Sequence, residues 1–130
     1  MSNVRILIVD DDKEFLALLC KSIESWGHTV ISASGGKEAL KMIKNKAADL
    51  VVLDYLMPGM DGVQTLEKIR RIDKLVPVIM FTSYPDSRSI TGSGKLGIFA
   101  YVPKAGVFTD PKSSLKAAIG MAEKRLFRAV

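Results

Sequence analysis

Two apolar runs that each end in carboxylates constrain this chain more than any other feature. Arg5-Ile6-Leu7-Ile8-Val9 runs into Asp10, Asp11 and Asp12, and Leu50-Val51-Val52-Leu53 runs into Asp54. Continuous apolar runs of this length suit strands buried on both faces of a parallel sheet. The strands of such a sheet share one C-terminal edge, so these carboxylates converge in one crevice. Like charges brought together are costly unless a proton or a cation relieves them. The cluster is therefore expected to be a site, with a divalent metal as its occupant.

The remaining pattern tells where those strands lie. Apolar runs at residues 4–9, 29–33, 50–53, 76–81 and 98–102 alternate with helix-like segments. In the first segment Phe15, Leu18, Leu19, Ser22, Ile23 and Trp26 recur at helical spacing, and Gly27 sits where a helix commonly stops. Residues 36–46 carry Ala39, Leu40 and Ile43, and residues 63–71 carry Val63, Leu66 and Ile69. In the last segment, 112–127, Leu115, Ala118, Ile119, Ala122 and Leu126 fall on one side.

Strict βαβα alternation predicts an α/β fold, a five-stranded parallel sheet covered by helices on both faces. Right-handed crossovers leave few topologies, and the doubly wound, flavodoxin-like order 2-1-3-4-5 puts the ligand crevice beside strands one and three. Those strands end in Asp10–Asp12 and Asp54. One segment fits poorly: Ser87-Arg88-Ser89-Ile90-Thr91-Gly92-Ser93-Gly94-Lys95. Each interior glycine costs a helix about 1 kcal/mol relative to alanine, so a short, irregular or mobile fourth helix is expected there.

Composition narrows the class. With 130 residues, 48% hydrophobic and 25% charged, one domain with a real core is expected over the whole chain, 1–130. No apolar stretch reaches the roughly 20 residues that span a bilayer, and the charged start lacks a signal-peptide pattern. Cys20 is the sole cysteine, which excludes an internal disulfide and agrees with a cytoplasmic location. The net charge of +5 comes from lysines and arginines spread along helix-like segments without aromatic interleaving, which reads as solvated helix faces and not as a nucleic-acid interface. His28, the sole histidine, has nothing nearby to activate it, and Cys20, Trp26 and the phenylalanines read as packing residues.

The carboxylates divide by role. Mg²⁺ prefers oxygen ligands in an octahedron and keeps several waters, so two or three carboxylates and a carbonyl suffice. Asp11 and Asp54 are candidate direct ligands, with Asp10 acting through a water. Asp12, immediately before Lys13-Glu14-Phe15, suits a helix N-cap, and Asp61, before Gly62-Val63, a turn or cap. The fourth run ends in Thr82-Ser83 and the fifth in Pro103-Lys104. A hydroxyl and an ammonium beside a metal-bound carboxylate form a receptor for a tetrahedral anion such as a phosphoryl group.

Four segments then carry a family resemblance: residues 6–12, residues 49–62 (Asp49 through Asp54-Tyr55-Leu56-Met57-Pro58-Gly59-Met60-Asp61-Gly62), Phe81-Thr82-Ser83 and Tyr101-Val102-Pro103-Lys104. In order and spacing the chain resembles a response-regulator receiver domain, the CheY-like signalling module of two-component systems. The resemblance implies a phosphorelay role in which Asp54 accepts a phosphoryl group from a phosphohistidine on a sensor histidine kinase or histidine phosphotransfer protein. It further implies that Asp10 and Asp11 hold Mg²⁺, with Mn²⁺ as a substitute and the Leu56 carbonyl as a further ligand. Lys104 would pair with phosphoryl oxygens, Thr82 would hydrogen-bond one, and Tyr101 would rotate inward with Thr82. Phosphorylation would switch the surface around the fourth and fifth strands and the helices after them, controlling an effector protein or an output domain that this chain does not contain, or driving a homodimer.

Departures from the family pattern are also legible. Lys104 is followed by Ala105 where family members often have proline. Leu56 and Tyr84, two residues past Asp54 and Thr82, occupy family positions that flank the attacking water, and an apolar and aromatic pair there is expected to shield the acyl phosphate and lengthen its lifetime. Such a module acts only on itself and is not an enzyme with an independent substrate. Three rivals stand beside it. An aspartyl-phosphate phosphohydrolase would want an acid at Leu56. A flavin-binding domain would want a phosphate loop where Asp10-Asp11-Asp12 repels phosphate. A degenerate receiver would work only as an interaction module.

Overall fold

A computed structural model describes residues 4–83, 86–104 and 110–128 of the chain. The elements alternate as β1 (Arg5–Val9), α1 (Lys13–Ser25), β2 (Thr29–Ala33), α2 (Gly36–Lys44), β3 (Leu50–Leu53), α3 (Gly62–Ile72), β4 (Val78–Thr82), α4 (Ser87–Lys95), β5 (Ala100–Pro103) and α5 (Pro111–Arg128). All five strands are parallel, in the order β2-β1-β3-β4-β5 expected from the alternation. The last two apolar runs begin before their strands: Val76 and Ile98 lead in, and pairing starts at Val78 and Ala100.

Strand periodicity divides the core into two layers. Ile6, Ile8, Leu50, Val52, Ile79 and Phe81 face α1 and α5, meeting Leu16, Leu19, Ile23, Leu115, Ile119 and Ala122. The alternate residues Leu7, Val9, Val51, Leu53, Val78 and Met80 face α2 and α3, meeting Ala39, Ile43, Leu66 and Ile69. β3 is apolar throughout, as are β1 after Arg5 and β4 up to Thr82, because both faces of these strands are covered. Each such large side chain contributes about 1.5–3 kcal/mol by leaving water. Phe127 on α5, 49% exposed, lies outside these layers and corrects the expectation that the phenylalanines are packing residues, and Leu18 on α1, 63% exposed, lies outside them although it recurs at the helical spacing. Among the described residues no helix is long and apolar enough to cross a membrane.

Helix ends follow the residues that announce them. Asp12 caps α1, accepting the Phe15 amide at 3.1 Å, and Gly27 past its end has φ 97°, a conformation that costs glycine least. Asp61 and Gln64 form a reciprocal capping box at the start of α3, with bonds of 2.8 and 2.9 Å. α4 takes the first of the forms expected of it: at nine residues it is short, and it is α-helical throughout, capped by Asp86 through the Ser89 amide at 2.8 Å. Its inward positions are Ser89 and Ser93, both fully buried, and the Ser93 hydroxyl donates to the Ser89 carbonyl of the same helix. Gly92 faces α3, where an added Cβ would lie 3.0 Å from Val63 Cγ1. Small residues thus let α4 sit close to α3, and that packing offsets a poor intrinsic propensity.

Candidate functional site

The site is built where the ladders of β1 and β3 run one residue past the strands. The Asp10 amide donates to the Ala33 carbonyl at 3.1 Å and the Asp54 amide to the Val9 carbonyl at 3.0 Å. With Val9 opposite Leu53 in register, Asp10 and Asp54 stand side by side at the carboxyl edge of the sheet. Asp11 completes the group: one oxygen from each of the three carboxylates lies within 4.8 Å of the others. Asp10 and Asp54 are buried and Asp11 is exposed, so the cluster opens to water on one side.

Lys104, carried to the same edge by β5, supplies the counter-charge. Its Nζ donates to Asp10 Oδ2 at 2.6 Å and lies 3.2 Å from Asp54 Oδ2, with its side chain only 13% exposed. The other oxygens are held by backbone: Asp12 N donates to Asp10 Oδ1 at 3.0 Å and Tyr55 N to Asp54 Oδ1 at 2.8 Å. Burial pushes the Asp54 carboxyl above its usual range; Lys104 opposes that shift and Asp10 adds to it. Three hard oxygen donors, one of them on a buried carboxylate whose charge is disfavoured, fit a hard divalent cation that keeps part of its water shell. Asp10, Asp11 and Asp54 would hold it.

The loop after Asp54 returns close to its own start. Gly62 N donates to the Tyr55 carbonyl at 2.7 Å, and a Cβ at Gly62 would collide with the Asp54 carbonyl. Gly59 turns the loop at φ 81°, Tyr55 and Met57 are buried, and the Leu56 side chain is 45% exposed. Thr82 ends β4 fully buried, and its carbonyl accepts the Lys104 amide at 2.7 Å, which ties the two residues to one edge. Tyr101 lies in β5 two residues before Pro103, half-buried, with its hydroxyl 2.5 Å from Ser89 Oγ. Burial raises the Tyr101 pKa, and the Ser89 bond opposes it. Tyr84 and Ala105 lie outside the described residues. A hollow of about 780 Å³ beside Gly35, Gly36 and Met60 is lined by none of these carboxylates.

Two residues at the site escaped the sequence reading. Phe15 sits with its ring centroid 4.4 Å from Lys104 Nζ, and the Phe81 centroid lies 6.0 Å from the same atom. Helical spacing assigns Phe15 to the packing face of α1, but spacing alone says nothing of a lysine at the far end of the chain.

Comparison with known proteins agrees with this geometry. A sequence profile of the response regulator receiver domain matches residues 6–115. Sporulation initiation phosphotransferase F of Bacillus subtilis is 36% identical over 116 residues, which cover 89% of this chain and 94% of that protein. The transcriptional regulatory protein ZraR of Escherichia coli K12 is 32% identical over 90% of this chain, and the regulatory protein PhoP of B. subtilis is 31% identical over 93%. The chain spans about a quarter of the former and half of the latter. Among solved structures, a CheY-like receiver domain protein from Methanospirillum hungatei superposes with TM-score 0.88 at 29% identity, covering 99% of this chain and all of that one. A receiver domain from Clostridium thermocellum gives 0.87 at 27% identity, covering 98% and 99%.

Proposed function

The chain belongs to the response regulator receiver domain family, and from that membership we propose that it is a phosphoacceptor module, residues 1–130, in which Asp54 takes a phosphoryl group from a phosphohistidine on a sensor kinase or phosphotransfer protein. The observation that carries this reading is the Lys104 ammonium bridging Asp10 and Asp54 inside a cluster of three carboxylates.

An Asp54 carboxylate oxygen attacks phosphorus in line, the phosphorus–nitrogen bond breaks, and its electron pair stays with the departing imidazole, which takes up a proton. Asp10, Asp11, Asp54 and the Leu56 carbonyl would hold Mg²⁺, or Mn²⁺ in its place, and the bound ion would supply charge neutralisation. Lys104 turns from Asp10 toward the transferred oxygens, and Thr82 donates its hydroxyl to one of them. Little else is needed, because phosphoryl transfer depends on positioning and electrostatics more than on further covalent chemistry.

The signal leaves through the β4-α4-β5-α5 surface. Tyr101 and Ser89 link β5 to α4 there, so a shift of Thr82 and Tyr101 would be felt by the helix. The readers of that surface are an effector protein, a further domain, or a second copy of the chain. The module turns over no independent metabolite, works in the cytoplasm, and binds no nucleic acid itself. Leu56, exposed two residues past Asp54, shields the acyl phosphate from water and lengthens its life.

The test is Mg²⁺-dependent mass gain on incubation with phosphoramidate. One phosphoryl group is expected on the wild type and none on Asp54→Asn; incorporation that survives the substitution would remove Asp54 from this role. Leu56→Asn should hasten the return to the unphosphorylated mass, and an unchanged decay would sink the shielding idea.

A further inference from the structure

The Lys104 ammonium is enclosed by unlike partners. On one side stand the carboxylates of Asp10, 2.6 Å away, and Asp54, 3.2 Å away. On the other stand two phenylalanine rings, Phe15 with its centroid at 4.4 Å and Phe81 at 6.0 Å. The rings are themselves in contact, their centroids 6.2 Å apart at an interplanar angle of 33°. Phe81 is buried in β4, and Phe15 is half-buried on the first turn of α1, three residues after the Asp12 cap.

The two kinds of partner respond differently to a metal. A divalent cation on Asp10, Asp11 and Asp54 claims the oxygens that hold Lys104, and it repels the ammonium. An ammonium freed in that way would swing into water and be absent when a phosphoryl group arrived. A ring face attracts a cation through its quadrupole, carries no formal charge, and offers nothing that Mg²⁺ would take in preference to oxygen. The attraction is also stronger in a desolvated place such as this one, where the lysine side chain is only 13% exposed.

We propose that Phe15, backed by Phe81, is a positioning residue for Lys104: its ring face holds the ammonium beside Asp54 once the metal has taken the carboxylates. The inference rests on the phosphoacceptor reading and names a residue through which that site works. Phe15 touches neither the metal nor the phosphoryl group; it acts through the lysine. An aliphatic residue at the same place would fill the volume without holding the charge.

The experiment begins with Mg²⁺ alone. Lysine methylenes over a ring face have proton shifts moved upfield by the ring current, so the Lys104 Cε protons of the wild type should be upfield without metal and stay so at saturating Mg²⁺. A return to the ordinary lysine shift on adding Mg²⁺ would overturn the proposal, whatever Asp54 does. The second arm measures phosphorylation by phosphoramidate at saturating Mg²⁺. F15L should slow it roughly three- to tenfold, the worth of one cation–π contact, and F15W should recover most of that loss. Equal rates in F15L and wild type, or an F15W rate as low as that of F15L, would show that Phe15 only packs. Should F15L lack a native amide spectrum, F15M serves the same comparison. If the wild type takes no phosphoryl group while its lysine stays on the ring, the phosphoacceptor reading fails and the placement of Lys104 stands.

Discussion

The Tyr101 hydroxyl lies 2.5 Å from Ser89 Oγ, joining the strand that carries Lys104 to the buried face of α4. The Ser89 hydroxyl also meets the Asp86 carbonyl at 3.1 Å, and the Asp86 side chain caps the same helix. One serine therefore couples the start of α4 to β5. In a double-mutant cycle, Ser89→Ala and Tyr101→Phe should each lower stability, with a coupling energy of about 0.5–1.5 kcal/mol. Urea unfolding of the four proteins measures it, and strict additivity would show that the contact carries no energy.

Three helical glycines should respond differently to a methyl group. Gly94 in α4 and Gly120 in α5 have no atom within 4 Å of an added Cβ, whereas Gly92 has Val63 Cγ1 at 3.0 Å. Gly94→Ala and Gly120→Ala should each stabilise the fold by about 0.5–1 kcal/mol, through helix propensity and a less flexible unfolded chain. Gly92→Ala should gain less or lose stability, because α3 must give way. Amide exchange across Ser87–Lys95 should slow in Gly94→Ala. A Gly92→Ala protein as stable as Gly94→Ala would show that the α3–α4 contact is soft.

Arg70 on α3 reaches four carbonyls. Its Nε donates to Leu96 at 2.9 Å, Nη1 to Val76 at 2.8 Å and Asp73 at 3.2 Å, and Nη2 to Gly97 at 3.1 Å. This planar fork fastens α3 to the turn after α4, where Gly97 adopts φ 71°. A lysine carries the charge but cannot span that set. Arg70→Lys should cost about 1–3 kcal/mol in urea unfolding and raise amide exchange around residues 95–98. A loss no larger than a few tenths of that range would mean that water replaces the fork.

Asp54 is held in a place that disfavours its charge. Burial, helped by Asp10 and opposed by Lys104, raises its carboxyl above the ordinary range. A folded-state pKa raised above the unfolded one contributes stability that is present below the unfolded pKa and lost as pH rises through the folded value. Without metal, Asp54→Asn should therefore be more stable than the wild type at neutral pH, and that advantage should shrink as acid protonates the wild-type carboxyl. Mg²⁺ should reverse the order, adding about 2.7 kcal/mol to the wild type at a hundred times its dissociation constant and less to the variant. Equal Mg²⁺ stabilisation of both proteins would remove Asp54 from the metal site.

What the sequence alone determined is the part of the fold written in local periodicity. Runs such as Ile6–Val9 and Leu50–Leu53 are apolar at every residue because both faces of a central strand are covered, and their alternation with helical segments leaves few parallel-sheet orders. The carboxylates after those runs had to converge, since parallel strands share an edge. Asp12 and Asp61 announced two helix starts because capping uses only neighbouring atoms. Tertiary structure alone decided the rest. Lys104 meets Asp10 across 94 residues of chain, and the Phe15 ring covers it only because β5 and the first turn of α1 end at the same edge. Arg70 finds the carbonyls of Leu96 and Gly97 through the crossing of α3 and α4. α4 shows the division most plainly. Its glycines and serines argue against a regular helix as long as the segment is weighed alone, and closeness to Val63 with satisfied hydroxyls makes it one. Periodicity records which face of an element is buried; which side chains then meet depends on register and crossover, and those exist only once the layers have packed.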